Sequence, residues 1–392
     1  MTSTERWPGR LALMVAHCAG MIDLVALPVW VGTLVGSYHF DPQQAGGLAT
    51  LFLAGAVLAS LVLAPRLQRI DGRLAATIGF GVATVAFGFT ATTSSYGAMA
   101  ALHVLAGVSA GAGLTFTHGT IARSARPHRL FAWVGTALGV FAVIFLGASP
   151  QIVAAKGGPA LFIVFAVVMV IATLICAAWF PQPPASSASQ PQGLPTSGAP
   201  LKPTPRLGSA VWFAVFGIGL MALVQAMMFS FLQRIGIDRG YGLDAVTAVL
   251  IALGLVNLAP AVLAALLEHR WSAHRVVTCG PIAHAALAAT IAMGASFVSY
   301  AGAAVFFAAV MIFTHTFAFG LIARLDCTGR VLAATPAMVM IGAAIGPVLG
   351  GTLVGLSGYP SLGVSALLID AVAVLCFLMA GRRRPLPMTQ PA

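Results

Sequence analysis

Thr115 to Arg123 reads TFTHGTIAR, and Thr316 to Arg324 reads TFAFGLIAR. The two stretches agree at six of nine positions, at a constant offset of 201 that Arg129 and Arg330 also keep. Each closes a long apolar run, and the two runs are the fourth and the tenth along the chain. A duplicated six-helix unit places equivalent residues in this way. The repeat therefore implies two halves related by a pseudo-two-fold, with a substrate path between them.

Working outward, apolar runs occur at roughly 11–36, 44–64, 74–93, 98–121, 131–153 and 160–180, and again at 208–233, 244–267, 276–296, 299–322, 331–356 and 361–381. Each is long enough to cross a hydrocarbon core, which takes about 20 residues of helix. The composition demands such a use: 59% of 392 residues are hydrophobic and 7% charged, against roughly 25% charged in a soluble domain. Runs this long lack the alternation of barrel strands, and in lipid they must satisfy their backbone hydrogen bonds internally. The fold class is an all-α membrane protein of twelve transmembrane helices in two six-helix bundles. The first bundle occupies 1–180 and the second 208–392, the latter ending in a short basic tail. Between them, 181–207 is rich in Pro, Ser, Gln and Gly, a composition that buries too little apolar area to fold by itself and reads as a flexible cytoplasmic linker. The opening segment is short and polar, and the apolar run behind it is longer than a signal-peptide core, so it is expected to remain as the first span.

The formal charge of +11 lies in short loops rather than in a basic module, which argues for topology and against nucleic acid. With the N-terminus inside, 17 of the 20 Lys and Arg fall on inner segments, leaving Lys156, Arg234 and Arg239 outside. That bias puts both termini in the cytoplasm. The five cysteines show no paired spacing, and neither a disulfide framework, a metal site nor a cofactor is expected.

Twelve spans, a central inner linker and basic loops after spans two, four, eight and ten together resemble the major facilitator superfamily over the whole chain. In that family the loop after span two usually carries a Gly-x-Leu-x-Asp-Arg-x-Gly-Arg-Arg pattern. Here it reads Pro65-Arg66-Leu67-Gln68-Arg69-Ile70-Asp71-Gly72-Arg73, with Gln68 at the acidic position and Asp71 displacing the glycine. The resemblance implies a conformational role for Arg66, Arg69, Asp71, Gly72 and Arg73; a plain positive-inside loop is the alternative. His103 stands where the family's span-four motif has an arginine linked to proton transfer. Histidine titrates near neutral pH, so His103 is a proton candidate, the alternative being a side chain that reaches the interface. Span eleven carries Gly342, Gly346, Pro347, Gly350 and Gly351, similar to a motif that drug–proton antiporters of the family carry in span five. Glycines so spaced let helices approach closely, and proline loosens the backbone, which suits either a moving interface or static packing.

Ionisable groups at membrane depth are costly and are the default site candidates. Asp23 leads, mid-span in the first run, with His17 six residues before it and Pro28 five after. Gln225 lies near the corresponding depth of span seven, and its amide suits an uncharged or zwitterionic ligand or a helix–helix contact. His315, between Thr314 and Thr316, is a further candidate. His118 reads as interfacial, Asp370 as a packing residue, and Asn257 and His284 as weaker positions.

No phosphate loop, Gly-x-Ser-x-Gly or His-Glu-x-x-His is present, so an enzyme is not expected. The expectation is a secondary transporter of a small molecule by alternating access, proton-coupled and exporting, monomeric in a bacterial-type inner membrane. Its partners would be the substrate, protons and the lipid bilayer. Uptake of a small metabolite is the alternative within that class, and a membrane-embedded enzyme or sensor the alternative outside it.

Overall fold

The computed structural model describes residues 4, 6–182, 208–326 and 330–381, with side chains from 338 onward in the last stretch. The linker and the basic tail fall almost wholly outside the described residues. Among the described residues, twelve helical segments are long and apolar enough to cross a membrane. The first half comprises α1 (Trp7–Gly20) and α2 (Ile22–Gly36), which together form span one, then α3 (Pro42–Leu63), α4 (Gly72–Thr90), α5 (Tyr96–Ala122), α6 (Pro127–Lys156) and α7 (Pro159–Trp179). The second comprises α8 (Ser209–Asp238), α9 (Leu243–Val256) and α10 (Pro260–Leu267), which together form span eight, then α11 (Ala273–Met293), α12 (Phe297–Leu325), α13 (Arg330–Ser357) and α14 (Pro360–Gly381).

The helices overrun the apolar runs because caps and prolines, not hydropathy, set their ends. Asp41 closes a capping box with Gln44 at the start of α3, and prolines open α3, α6, α7 and α10, where a missing N–H costs nothing.

The 201-residue offset extends well beyond the repeated nonapeptide. Pro42, Gly72, Tyr96 and Pro159 begin helices in the first half, and the residues 201 later, Leu243, Ala273, Phe297 and Pro360, begin helices in the second. The turns into α7 and α14 correspond as well. Gly157 and Gly358 take φ of 83° and 72°, each two residues before a proline, and only glycine adopts that backbone without strain.

The halves meet along three seams, α3 with α13, α6 with α9, and α2 with α8. These are spans two with eleven, five with eight and one with seven, the set a two-fold generates. Inside the first half, Trp30 is fully buried among Phe52, Phe87 and Phe165, with ring centroids 5.2, 6.1 and 4.9 Å away. Such aromatic pairs add roughly 0.5–1.5 kcal/mol each beyond area burial.

Candidate functional site

Span one is broken at Met21, whose φ of −105° and ψ of 20° leave helical geometry between α1 and α2. Gly20 lies at the break against Leu114 of α5, and Pro28 removes a further N–H from α2, leaving the Leu24 carbonyl without its helical partner. Asp23 therefore stands in the first turn of a half-helix near mid-span. Asp23 is 7% exposed. A helix N-terminus favours negative charge, so the break gives a carboxylate partial support where lipid-depth burial would otherwise oppose it.

His17, on α1, faces away toward α5. Its Nδ1 lies 3.0 Å from Nε2 of His118, and His118 in turn stands edge-on to Phe131 of α6. One imidazole must donate and the other accept, so this pair holds together only while at least one ring keeps a free lone pair.

His103 is fully buried in the aromatic cluster rather than at the helix end. Its Nδ1–H donates to the Met99 carbonyl at 2.7 Å, and its Nε2 accepts from the Trp30 indole at 3.3 Å. Both nitrogens are thus engaged by a neutral ring. The sequence places His103 near the start of α5 but carries no sign of the indole 73 residues earlier that covers it.

In the second half the structure joins three residues from three helices. Gln225 Oε1 on α8 lies 3.1 Å from His284 Nε2 on α11, and His284 Nδ1 lies 2.9 Å from Asp370 Oδ2 on α14. His284 and Asp370 are completely buried. His315, on α12, is not part of this group; its ring packs on Phe319 at 4.0 Å and its Nε2 is buried without a partner.

The glycines of α13 form its packing faces. Gly342, Gly346 and Gly350 lie against Gly219, Ala226 and Met227 of α8, while Gly351 lies against the Pro42 backbone of α3 in the other half. Pro347 presents its carbonyl to Gly46 of α3, and the Val348 N–H donates to Thr50 Oγ1 at 3.1 Å. Gln151 and Asp244 bridge α6 and α9 at 3.0 Å. Gly36 of α2 approaches Arg234 of α8.

These contacts lie at mid-depth or toward the face remote from the chain termini, called the distal face below. Among the described residues, α5 and α12, which carry the two copies of the nonapeptide at the terminal face, form no seam of this kind. Among the described residues, the seams between the halves thus run from mid-depth to the distal face.

The loop after span two is tied within its own half. Asp71 caps α4, accepting from the N–H groups of Arg73 and Leu74 at 2.8 and 3.0 Å. Gly72 lies beside Phe180, and Arg66 donates to the Val62 carbonyl. The Arg73 guanidinium closes the last turn of α7 through the carbonyls of Ala177 and Ala178, and Arg123 donates to the Leu67 carbonyl at 3.1 Å. Arg69 completes the turn by donating its N–H to the Arg66 carbonyl at 2.9 Å.

Two six-helix bundles meeting along two-fold-related seams, one of them formed by a broken helix that carries a buried carboxylate, are the architecture of a multi-pass secondary transporter. The model of the Major Facilitator Superfamily matches residues 12–326, and the chain belongs to that family. No curated protein matches it. Among solved structures, a bacterial homologue of the human lysosomal transporter Spinster, in an inward-facing and occupied conformation, superposes with a TM-score of 0.76 at 13% identity, covering 95% of this chain and 96% of that one. A D-xylose–proton symporter gives 0.75 at 15% identity, covering 97% and 98%. The nucleoside transporter NupG gives 0.69 at 12%, covering 96% and 99%. The protein is a secondary transporter of a small molecule.

Proposed function

We propose that this transporter exports small amphipathic compounds from the cytoplasm in exchange for protons, as a monomer in a bacterial-type inner membrane. The excess of Lys and Arg on the terminal side supports placing both termini, and the linker over 181–207, in the cytoplasm. On that placement the distal face is extracellular, and seams packed toward it support an inward-facing state, the one in which an exporter loads.

The observation that carries the reading is Asp23, buried at the head of a half-helix in the span that forms a seam with α8. A carboxylate there can take up a proton or pair with a cationic group, but not both at once, which is the elementary requirement for exchange. His103 is a poorer carrier because both its nitrogens are already committed. Among the described residues, the polar groups at membrane depth, with the His17–His118 pair and His315 among them, are few and mixed, and no basic cluster suited to organic anions accompanies them. That composition supports amphipathic cargo over anionic metabolites.

The test is proton movement into proteoliposomes loaded with a pH-sensitive dye, across a panel of amphipathic compounds. Wild-type protein is expected to move protons with a subset of them, and Asp23→Asn is expected to abolish that movement. Proton-driven flux unchanged in Asp23→Asn would remove Asp23 from the role. Comparing a deletion strain with an overproducing one gives direction: export protects against a toxic compound, whereas uptake sensitises to it.

A further inference from the structure

We propose that Gln225, His284 and Asp370 form a second proton-binding site, inside the second bundle, whose occupancy is passed to the transport path by the amide of Gln225. The proposal rests on the proton-coupled reading above and adds to it a named relay.

Hydrogen-bond bookkeeping carries the case. With Gln225 Oε1 3.1 Å from His284 Nε2, that nitrogen must bear a proton, because an amide oxygen only accepts. The 2.9 Å contact between His284 Nδ1 and Asp370 Oδ2 holds a second proton, on one atom or the other. The triad then carries two protons and no net charge. Removing one leaves a neutral imidazole with Nδ1–H directed at the carboxylate and a bare lone pair on Nε2. Oxygen cannot face that lone pair, so the amide must turn and present its N–H. One proton gained or lost is therefore one reversal of the Gln225 amide, with both ring nitrogens of His284 partnered in both states.

Three further observations point the same way. The His284 ring lies flat on Phe307, centroids 4.4 Å apart and planes at 9°, a seating that favours a cationic ring. Asp370 Oδ1 is completely buried without a partner, a cost that a purely structural hydrogen bond would have no reason to retain. The residues 201 positions earlier in the first half are Leu24, Ala83 and Met169; Ala83 and Met169 are fully buried there. The helix packing is thus satisfied by apolar side chains, and the polar set belongs to the second half alone.

Gln225 is the link to the path. Its side chain is half-buried on α8, the helix that forms a seam with α2, and it occupies the place that Leu24, next to Asp23, takes in the first half. The other titratable and charged groups on the packed elements are committed elsewhere or stand apart. His274 and Arg275 begin α11, Cys279 is exposed, and Cys376 lies six residues beyond Asp370 on α14. On α12, Tyr300 donates to the Leu232 carbonyl, His315 packs on Phe319 and Arg324 ends the helix. At the far end of α8, Arg234 pairs with Asp238, and Arg239 donates to the Ile291 and Ala292 carbonyls. The described part of α13 from Met338 onward has no titratable residue.

The experiment is histidine nitrogen NMR on the full chain in lipid nanodiscs, with His284→Gln used to assign the signal. His284 is expected to pass between a doubly protonated ring and the Nδ1–H tautomer as pH rises. Asp370→Asn should change the pH course of the His284 signals, because the ring loses the carboxylate that shares its proton. Gln225→Leu should leave the ring titrating but remove the pH dependence of proton flux. If Asp370→Asn does not fold, Gln225→Glu is read instead, and the second carboxylate should likewise change the pH course of the His284 signals. A single neutral tautomer throughout pH 5–9, or a pH course unmoved by these changes, overturns the inference. Proton-driven flux with a silent His284 would sink this relay and leave Asp23 in place, whereas a titrating triad without proton-driven flux would sink the proposed function instead.

Discussion

The carbonyl oxygen of Pro347 lies against the Cα of Gly46, where any β-carbon on Gly46 would overlap it. Backbone cannot yield to a methyl group as a flexible side chain does, so α3 and α13 would have to part. Gly46→Ala is expected to shift the protein toward the distally open state. A cysteine at Gln43, in a background without the native cysteines, should react several-fold faster with an impermeant reagent from the distal side.

Thr50 supplies the acceptor for the Val348 N–H across the same seam. Thr50→Val keeps the shape and removes the oxygen, and its cost to the closed state is about 1 kcal/mol. Its effect on Gln43 labelling should match that of Gly46→Ala in direction and be smaller in size.

His103 holds Trp30 in place. His103→Phe fills the cavity but strands the indole N–H, which costs about 1–3 kcal/mol. A fall in thermal midpoint with an unaltered pH profile of transport is expected; loss of proton coupling in a stably folded variant would instead make His103 a carrier.

Tyr359 sits in the distal turn between α13 and α14 and donates to Asp238 Oδ2 at 2.5 Å. Burial, and then the Asp238 carboxylate beside it, raise the phenol above the ordinary tyrosine range. An acid raised by folding contributes stability that is complete below its unfolded value of about 10 and is lost as pH climbs toward the folded one. Tyr359→Phe should therefore lower the thermal midpoint equally at pH 7 and pH 9, and its deficit should shrink above pH 10.

The twelve crossings were legible because lipid leaves the backbone no partner but itself, so every long apolar run had to become helix. The two-fold was legible at one nonapeptide, and the correspondence of Gly157 with Gly358 and of Pro159 with Pro360 lay in the same sequence at the same offset. Helix ends were read several residues short where caps and prolines overrode hydropathy. Pro28 flagged a disturbed first span, but the break falls at Met21, where Gly20 packs on a helix remote in sequence. The association of Gln225 with His284 and Asp370 was not legible, since it spans three helices and 145 residues and follows no period. Its one sequence cue was that, of nine acidic residues, only Asp23 and Asp370 stand deep within spans.

The central claim is that the two bundles open alternately, with the seams packed toward the distal face here. Spin labels at Gln43 and Ser357 report the distal gap, and labels at Arg69 and His269 the terminal one. Pulsed electron-spin distance measurements in nanodiscs across pH 5 to 9 should show the two gaps changing reciprocally, one lengthening as the other shortens. Distances that stay fixed, or that lengthen and shorten together, would contradict the account.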